Sequence, residues 1–391
     1  MKEAVFLQEV KEIQLLKNAL TLLDWDSSTG MPEKSSPFRG EVEGYLTGLY
    51  FERSIGPVIQ EALAYFETRP EELSELGKLV FEKVKEEYAL NKNVPAERMQ
   101  EYVKVLNQAH TDWLKARAAQ DFGLLEETLT KVVAFQKEFI PYWQKEEKTP
   151  YDVLLNQFEP GMTVEKLDQV FDQVKQGIQE IRTVLAEKGT PPRTDFLSRK
   201  MTKEQQRRFV IGVVEQLGYD FSKGRLDDTV HPFMTALNRN DARITTRWEE
   251  NNFSMATFGV IHEAGHGMYE QNFDPKFDFT PLSEGASMGI HESQSLFNEI
   301  IIGSNRAFWQ KQYPFFQECA EGTFDDIAFE DFYASLKETK ASLIRIDSDS
   351  LTYPLHIIIR YEIEKMLFNG SLEVADLPKV WNEKYQEYLG V

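Results

Sequence analysis

The sequence has a single cysteine, Cys319, and no apolar run long enough for a membrane-spanning helix. One cysteine cannot form an internal disulfide, and a transmembrane helix needs roughly 18 or more mostly apolar residues in a row. The N-terminus, MKEAVFLQEVKEIQ, carries charges where a secretory peptide would need an unbroken apolar region. These absences exclude a disulfide-stabilised secreted domain and an integral membrane protein, and we expect a cytoplasmic protein.

Basic residues are scarce compared with acidic ones. The chain has 44 lysines and arginines against 64 aspartates and glutamates, which gives a formal net charge of −20. Nucleic acids and anionic membranes carry charge of the same sign, so we expect neither as a partner. The charge does not select among other ligands, because a local basic pocket can coexist with an acidic exterior.

Internal repeats, low-complexity linkers and charge blocks are also absent from the 391 residues. Apolar residues instead recur at helical spacing, as in EKLDQVFDQVKQGIQEIRTVL, which predicts a mainly α-helical protein. One segment, DARITTRW at 241–248, is typical of a strand. Turn-forming segments separate helices rather than domains, so we predict a single domain over 1–391 with an N-terminal part, 1–150, and a second part, 151–391.

The segment GVIHEAGHGMYEQ, residues 259–271, carries a pattern typical of metal chemistry. On a helix, His262 and His266 lie on one face, so both imidazoles can reach a common point, and Glu263 borders that point. This spacing suits two ligands of a divalent metal with a carboxylate beside the reacting water. The alternative interpretation is a pair of helical histidines that are packed or solvated for unrelated reasons.

Two glycines follow the motif's central alanine. Gly265 and Gly267 each cost a helix roughly 1 kcal/mol relative to alanine. We therefore expect another part of the protein to approach the helix backbone closely at these positions.

A zinc site needs a third protein ligand and an open fourth position. The next helical segment, LSEGASMGIHESQSLFNEIII, offers Glu284, Glu292 and Glu299, and spacing alone does not choose among them. Glu292 shares a face with Met288 and Leu296, and burying an unpaired carboxylate on such an apolar stripe would be costly unless a metal bound it. We expect Glu284 and Glu299 to be ordinary solvated or helix-terminal glutamates.

Together these motifs resemble the carboxypeptidase Taq family of thermostable metallocarboxypeptidases. The resemblance is carried by HEAGH, HESQS at 291–295, HPF at 231–233, DARITTR at 241–247 and IRIDSD at 344–349. The segments LLDWDSSTGMP and YDVLLNQFEPGMT look like the same family, so the likeness extends over nearly the whole chain.

The resemblance implies an all-α fold with a small β element and a deep substrate groove, akin to neurolysin and angiotensin-converting enzyme, with 1–150 covering the groove. It implies a zinc enzyme that forms a homodimer and removes single residues from peptide C-termini with broad specificity. Whether cobalt can substitute for the zinc is left open by the sequence. Matched by position, His262, His266 and Glu292 are the metal ligands and Glu263 is the general base.

Arg345 and Arg243 match positions expected around the substrate, and a guanidinium is a natural partner for a terminal carboxylate. The alternative for Arg345 is a helix-face ion pair with Asp349, and the alternative for Arg243 is a structural pair with Asp241.

Three further residues belong to the same motifs. His231, in HPF, matches a position near the substrate, with packing as its alternative role. His291 and Ser293 flank the predicted third ligand in the HES motif.

Members of the family continue past the end of this sequence into a Gln-Asp-x-His-Trp motif that the sequence does not contain. In related enzymes a histidine and a tyrosine well beyond the glutamate ligand steady the oxyanion, so a chain without them is expected to bind zinc and turn over slowly. Two alternatives to a carboxypeptidase stay open, the first because the metal motif does not encode where a peptide is cut, and the second because of the missing motif. One is an oligopeptidase or dipeptidyl carboxypeptidase of the same helical class, and the other is an inactive remnant that binds peptides or dimerises.

Overall fold

The computed structural model describes residues 1–345 and 348–391, and most of them are helical. The α-helices are Glu3–Thr29 (α1), Ser36–Ser54 (α2), Pro57–Phe66 (α3), Glu75–Lys92 (α4), Ala96–Ala119 (α5), Gly123–Trp143 (α6), Pro150–Phe158 (α7), Val164–Lys188 (α8), Lys203–Leu217 (α9), Phe253–Gln271 (α10), Met288–Leu296 (α11), Arg306–Ala320 (α12), Phe329–Ser335 (α13), Tyr353–Phe368 (α14) and Leu377–Tyr388 (α15). The strands are Leu226–Asp228 (β1), Met234–Asn238 (β2) and Asp241–Thr246 (β3). The prediction of a mainly helical protein is confirmed.

The chain forms two compact units, each assembled from two stretches of sequence. The first unit comprises Met1–Tyr88 and Pro192–Leu336, and the second comprises Ala89–Pro191 and Lys337–Val391. Each unit has apolar cores of its own. The prediction of one domain divided at residue 150 stays a prediction.

The main core of the first unit surrounds helix α10. Val260, Ile261 and Ala264 are fully buried along one side of α10, where they join a cluster that includes Trp309 and Phe316 of α12. Apolar burial of this kind is the dominant favourable term in folding, so it fixes α10 firmly in the unit. A helix anchored on this face presents its remaining residues on a defined side.

A three-stranded sheet packs beside α10. The strand order is β1-β3-β2, with β1 parallel and β2 antiparallel to the central strand β3. The strand predicted at 241–248 is therefore confirmed as β3, which covers residues 241–246 and pairs with a strand on each side. Ile244 in β3 is fully buried and belongs to the core around α10.

The second unit packs α14 against α8 and α15 around Leu355, Ile359 and Tyr385, all nearly inaccessible to solvent. Within the described part of the chain, no helix combines the length and apolarity that crossing a membrane requires.

Candidate metal centre

Helices α10 and α11 bring together the three residues predicted to be metal ligands. His262 and His266 lie on α10 and Glu292 lies on α11, and one ligand atom from each lies within 4.8 Å of the others. The Nε2 atom of His262 is 3.8 Å from Oε1 of Glu292, and the Nε2 atom of His266 is 3.4 Å from Oε2. The two imidazoles and the carboxylate therefore point at a common centre that a single cation could occupy.

The two glycines of the motif explain how other elements come so close to α10. A Cβ atom on Gly265 would lie 2.7 Å from the carbonyl oxygen of Gln294 and 2.7 Å from Cα of Ser295, both in the α11 backbone. A Cβ atom on Gly267 would lie 2.7 Å from the ring of Tyr219. The expected close approach is confirmed, and at Gly265 it is the approach of the helix that carries Glu292.

Replacing Gly265 with alanine should therefore disturb the spacing between α10 and α11. The added methyl group meets backbone atoms that cannot rotate away, and overpacking of this kind costs about 1–3 kcal/mol. We expect a lower free energy of unfolding for the metal-free protein and weaker zinc binding. Gly259→Ala is the matched control on the same helix, because no atom lies within 4 Å of its Cβ position. Equal stability of the two variants in denaturant titration would contradict the account.

Glu299 forms a hydrogen bond with the first predicted histidine ligand, His262. Its Oε2 atom lies 2.8 Å from Nδ1 of His262, and since an ionised carboxylate can only accept, the imidazole donates through Nδ1 and leaves Nε2 free. Burial alone would lower the pKa of His262, but the hydrogen bond and charge of Glu299 raise it above its usual value. The expectation that Glu299 is an ordinary solvated or helix-terminal glutamate is wrong.

A π-helix, Phe297–Ile302, follows α11 and carries Glu299. The wider turn shows in the bond from the Gly303 amide to the Asn298 carbonyl, and the Asn298 side chain donates to the carbonyl of Gln294. Short π-helical segments are frequent at functional sites. The sequence did contain a signal, because Glu299 follows Glu292 by seven residues, or two helical turns, and so shares its face.

The second histidine ligand, His266, contacts a carboxylate only indirectly, by way of His291. Nδ1 of His266 lies 2.6 Å from Nδ1 of His291, and Nε2 of His291 lies 2.9 Å from Oε1 of Glu270. Sequence reasoning placed His291 near the site and missed Glu270, which lies one turn beyond His266 on α10.

Glu263 lies in a buried position beside this cluster. Its residue is only 7 % exposed, and burial raises the pKa of its carboxyl group to about 7. In residues 1–345 and 348–391, no lysine or arginine forms an ion pair with Glu263, Glu270 or Glu299. Carboxylates gathered without a cationic side chain are what a site for a divalent cation needs, so the donor set fits a metal.

The reason given for choosing Glu292 from the sequence is wrong, although the geometry brings that residue to the centre. The predicted buried stripe is open to solvent, since Met288 is 66 % exposed and the side chain of Glu292 is 42 % exposed. Glu284 forms an ion pair with Lys17 at 2.6 Å, and both side chains are partly exposed. Of the three glutamates, it is the one with the ordinary solvated role that was expected.

Arg243 forms the structural pair that was its alternative role. Its Nε and Nη2 atoms donate to the two carboxylate oxygens of Asp241, at 2.8 Å each, and its guanidinium lies 4.4 Å from the centroid of the Trp25 ring. His231 is exposed, and the hydroxyl group of Ser293 donates to the carbonyl of Ile290 in its own helix.

Arg345 belongs to the second unit. Its Nη1 atom donates to the hydroxyl group of Tyr353 at 3.2 Å, whereas Asp349 accepts from the side chain of Thr339 and from two backbone amides that precede α14. The alternative of a helix-face pair between Arg345 and Asp349 is therefore wrong. Two residues of the same motif, Ile346 and Asp347, lie outside the described residues.

Comparisons with known proteins agree with this geometry. A model of the carboxypeptidase Taq (M32) metallopeptidase family matches residues 5–391. Carboxypeptidase 1 of Bacillus subtilis is 45 % identical over 389 residues, which are 100 % of this chain and 77 % of the relative, and thermostable carboxypeptidase 1 of Thermus thermophilus is 34 % identical over 97 % and 76 % of the two chains. The crystal structure of an M32 carboxypeptidase from Deinococcus radiodurans superimposes with a TM-score of 0.94 at 34 % identity, over 98 % of this chain and 77 % of that one.

Proposed function

Because the chain belongs to the carboxypeptidase Taq (M32) metallopeptidase family and is thus a metallocarboxypeptidase, we propose that it releases single C-terminal residues from peptides with zinc bound by His262, His266 and Glu292. The observation that carries this proposal is the convergence of those three side chains from α10 and α11. Two imidazoles and one carboxylate are one of the donor sets found in catalytic zinc sites, which leave the fourth position open.

The residues around the centre suggest how the reaction proceeds. A divalent cation held there would act as a Lewis acid toward the scissile carbonyl and toward water. Glu263 would accept the proton of the attacking water and deliver it to the leaving amine, because its buried carboxylate borders the three converging ligands and is not one of them. Glu299 would keep His262 oriented with Nε2 toward the cation.

The other hypotheses raised by the sequence are not favoured. Relatives at 45 % and 34 % identity are named carboxypeptidases, which argues against an oligopeptidase, a dipeptidyl carboxypeptidase or an inactive remnant. On the family resemblance alone we also propose that the enzyme is a homodimer and that Arg243 and His231 lie near the substrate. We further propose a cytoplasmic location, and cobalt as a possible substitute for zinc.

The proposal is tested by metal analysis combined with digestion of an N-terminally blocked tripeptide, with the products read by mass. We expect one equivalent of zinc per chain and release of one amino acid at a time. A crystal structure with zinc should then show both Nε2 atoms and a Glu292 oxygen at about 2.0–2.2 Å from the metal. Release of dipeptides, or zinc bound elsewhere, would refute the proposal.

Arg345→Ala should discriminate against substrates with a free C-terminal carboxylate. If the guanidinium binds that carboxylate, the variant loses a charge-assisted hydrogen bond worth about 1.5–3 kcal/mol, or roughly 10- to 100-fold in kcat/KM. C-terminally amidated peptides lack the charge, so their slower cleavage should change little. Arg243→Ala is the comparison, because its fork is occupied by Asp241 and we expect similar losses on both substrates. Equal losses with Arg345→Ala would remove Arg345 from substrate recognition.

A further inference from the structure

We propose that Glu270 and His291 are positioning residues that fix the tautomer and orientation of His266, so that its Nε2 atom is the one offered to the metal. The supporting observation is a continuous line of hydrogen bonds from the buried carboxylate of Glu270 through the ring of His291 to Nδ1 of His266. This inference rests on the proposed metal site and adds two residues that act on one of its ligands without contacting the metal.

The direction of the hydrogen bonds follows from the carboxylate end. Ionised Glu270 can only accept, so His291 must donate through Nε2, and the neutral imidazole then keeps a lone pair on Nδ1. That lone pair accepts the proton on Nδ1 of His266, which leaves Nε2 of His266 unprotonated and facing Glu292. One carboxylate thus sets the tautomer of two rings in succession.

Contacts around the His291 ring hold it in the orientation that these hydrogen bonds require. The ring of Tyr269 meets the His291 ring edge to face, with centroids 5.2 Å apart and planes at 90°. On another side lies Gly285, where a Cβ atom would be only 2.6 Å from Cδ2 of His291. Glu270 is 6 % exposed, so water competes little for the hydrogen bond.

The two histidine ligands are therefore supported in different ways. His262 hydrogen-bonds directly to a carboxylate, that of Glu299. His266 hydrogen-bonds to His291, and His291 in turn hydrogen-bonds to the carboxylate of Glu270. Residues that act through one another give non-additive effects when both are changed, and residues on separate lines give additive ones. This difference separates a positioning role from general stabilisation of the fold.

The experiment measures zinc affinity by competition with a chromophoric chelator. Glu270→Gln and His291→Leu should each weaken zinc binding by about 10- to 100-fold, the range typical of partners behind a metal ligand. In the His291→Leu background, Glu270→Gln should cost little more, while Glu299→Gln should add its full effect. His291→Asn should retain most of the affinity, since its amide oxygen can accept from Nδ1 of His266. The visible spectrum of the cobalt-loaded protein should shift in His291→Leu and remain close to that of the parent in His291→Asn.

Thermal unfolding of the metal-free variants checks that each protein folds, and Glu284→Gln is the control carboxylate outside the centre. If Glu270→Gln does not fold, the comparison of His291→Leu with His291→Asn decides alone. Unchanged zinc affinity in folded His291→Leu, or additive losses for Glu270→Gln and His291→Leu, would overturn the inference and leave the proposed function intact. A parent protein that fails to bind zinc would overturn both, whereas retained affinity in Glu292→Ala would overturn the proposed ligand set and leave the inference about His266 to be decided by the His291 variants.

Discussion

Replacing Glu263 with glutamine should lower kcat by about 10²- to 10⁴-fold, the usual contribution of a positioned acid-base group, while the zinc content stays at that of the parent. Glutamine has nearly the same shape, so packing in this 7 % exposed position is preserved. It cannot accept the proton of water or return it to the amine. Since Glu263 is not among the three converging ligands, metal binding should survive.

The measurement is steady-state hydrolysis of a blocked tripeptide together with zinc analysis of the same preparation. Glu284→Gln is the matched control, because it removes a carboxylate of the same unit that pairs with Lys17 away from the centre. A Glu263→Gln protein that keeps its zinc and more than about a tenth of parental kcat would exclude Glu263 as the general base.

The parts of the centre that could be predicted from the sequence are those set by local geometry. His262 and His266 are four residues apart on one helix, and a helix fixes their common face whatever surrounds it. The glycines also carried local information, since Gly265 and Gly267 cost helix stability and therefore indicated neighbours at the backbone. The strand at 241–248 was also recognisable from local sequence, because β-branched residues such as Ile244 and Thr245 favour strands.

The parts that could not be predicted depend on how helices pack. Glu270 on α10 meets His291 only because α11 packs on α10. The sequence indicated that Glu299 shares a face with Glu292, but only the packing of the π-helix on α10 brings it to His262. Burial was also misjudged for Glu292, because the face it shares with Met288 looks apolar in sequence but is open to solvent. Helical periodicity identifies a face, but it does not say what covers that face.

The same limit applies to Arg345. The four-residue spacing to Asp349 suggested a helix-face pair, but α14 begins only at Tyr353, and Asp349 accepts the Leu351 and Thr352 amides at its start. Aspartate side chains commonly accept hydrogen bonds from backbone amides two or three residues further along the chain in this way. Spacing of four residues is evidence for a helix-face pair only where both partners lie in one helix, and Asp349 precedes α14.

Replacing Glu292 with alanine should cause the largest loss of metal. Two imidazoles would remain, and the loss of a direct ligand should exceed the roughly 100-fold upper range for residues behind a ligand. Purified Glu292→Ala should contain little zinc and show no activity at stoichiometric metal. The measurement is zinc affinity by chelator competition, with unfolding of the metal-free protein as the check on folding.

The three glutamates of the predicted second helix together give a graded test of the third ligand. Glu299 contacts His262 and not the centre itself, so Glu299→Ala should weaken zinc binding by about 10- to 100-fold and no more. Glu284 pairs with Lys17, so Glu284→Ala should leave zinc affinity unchanged. The order Glu292, Glu299, Glu284 follows from one geometric fact, the direction in which each carboxylate points relative to α10. A larger loss in Glu299→Ala than in Glu292→Ala would assign the third ligand to Glu299 and leave Glu292 as a solvent-exposed neighbour.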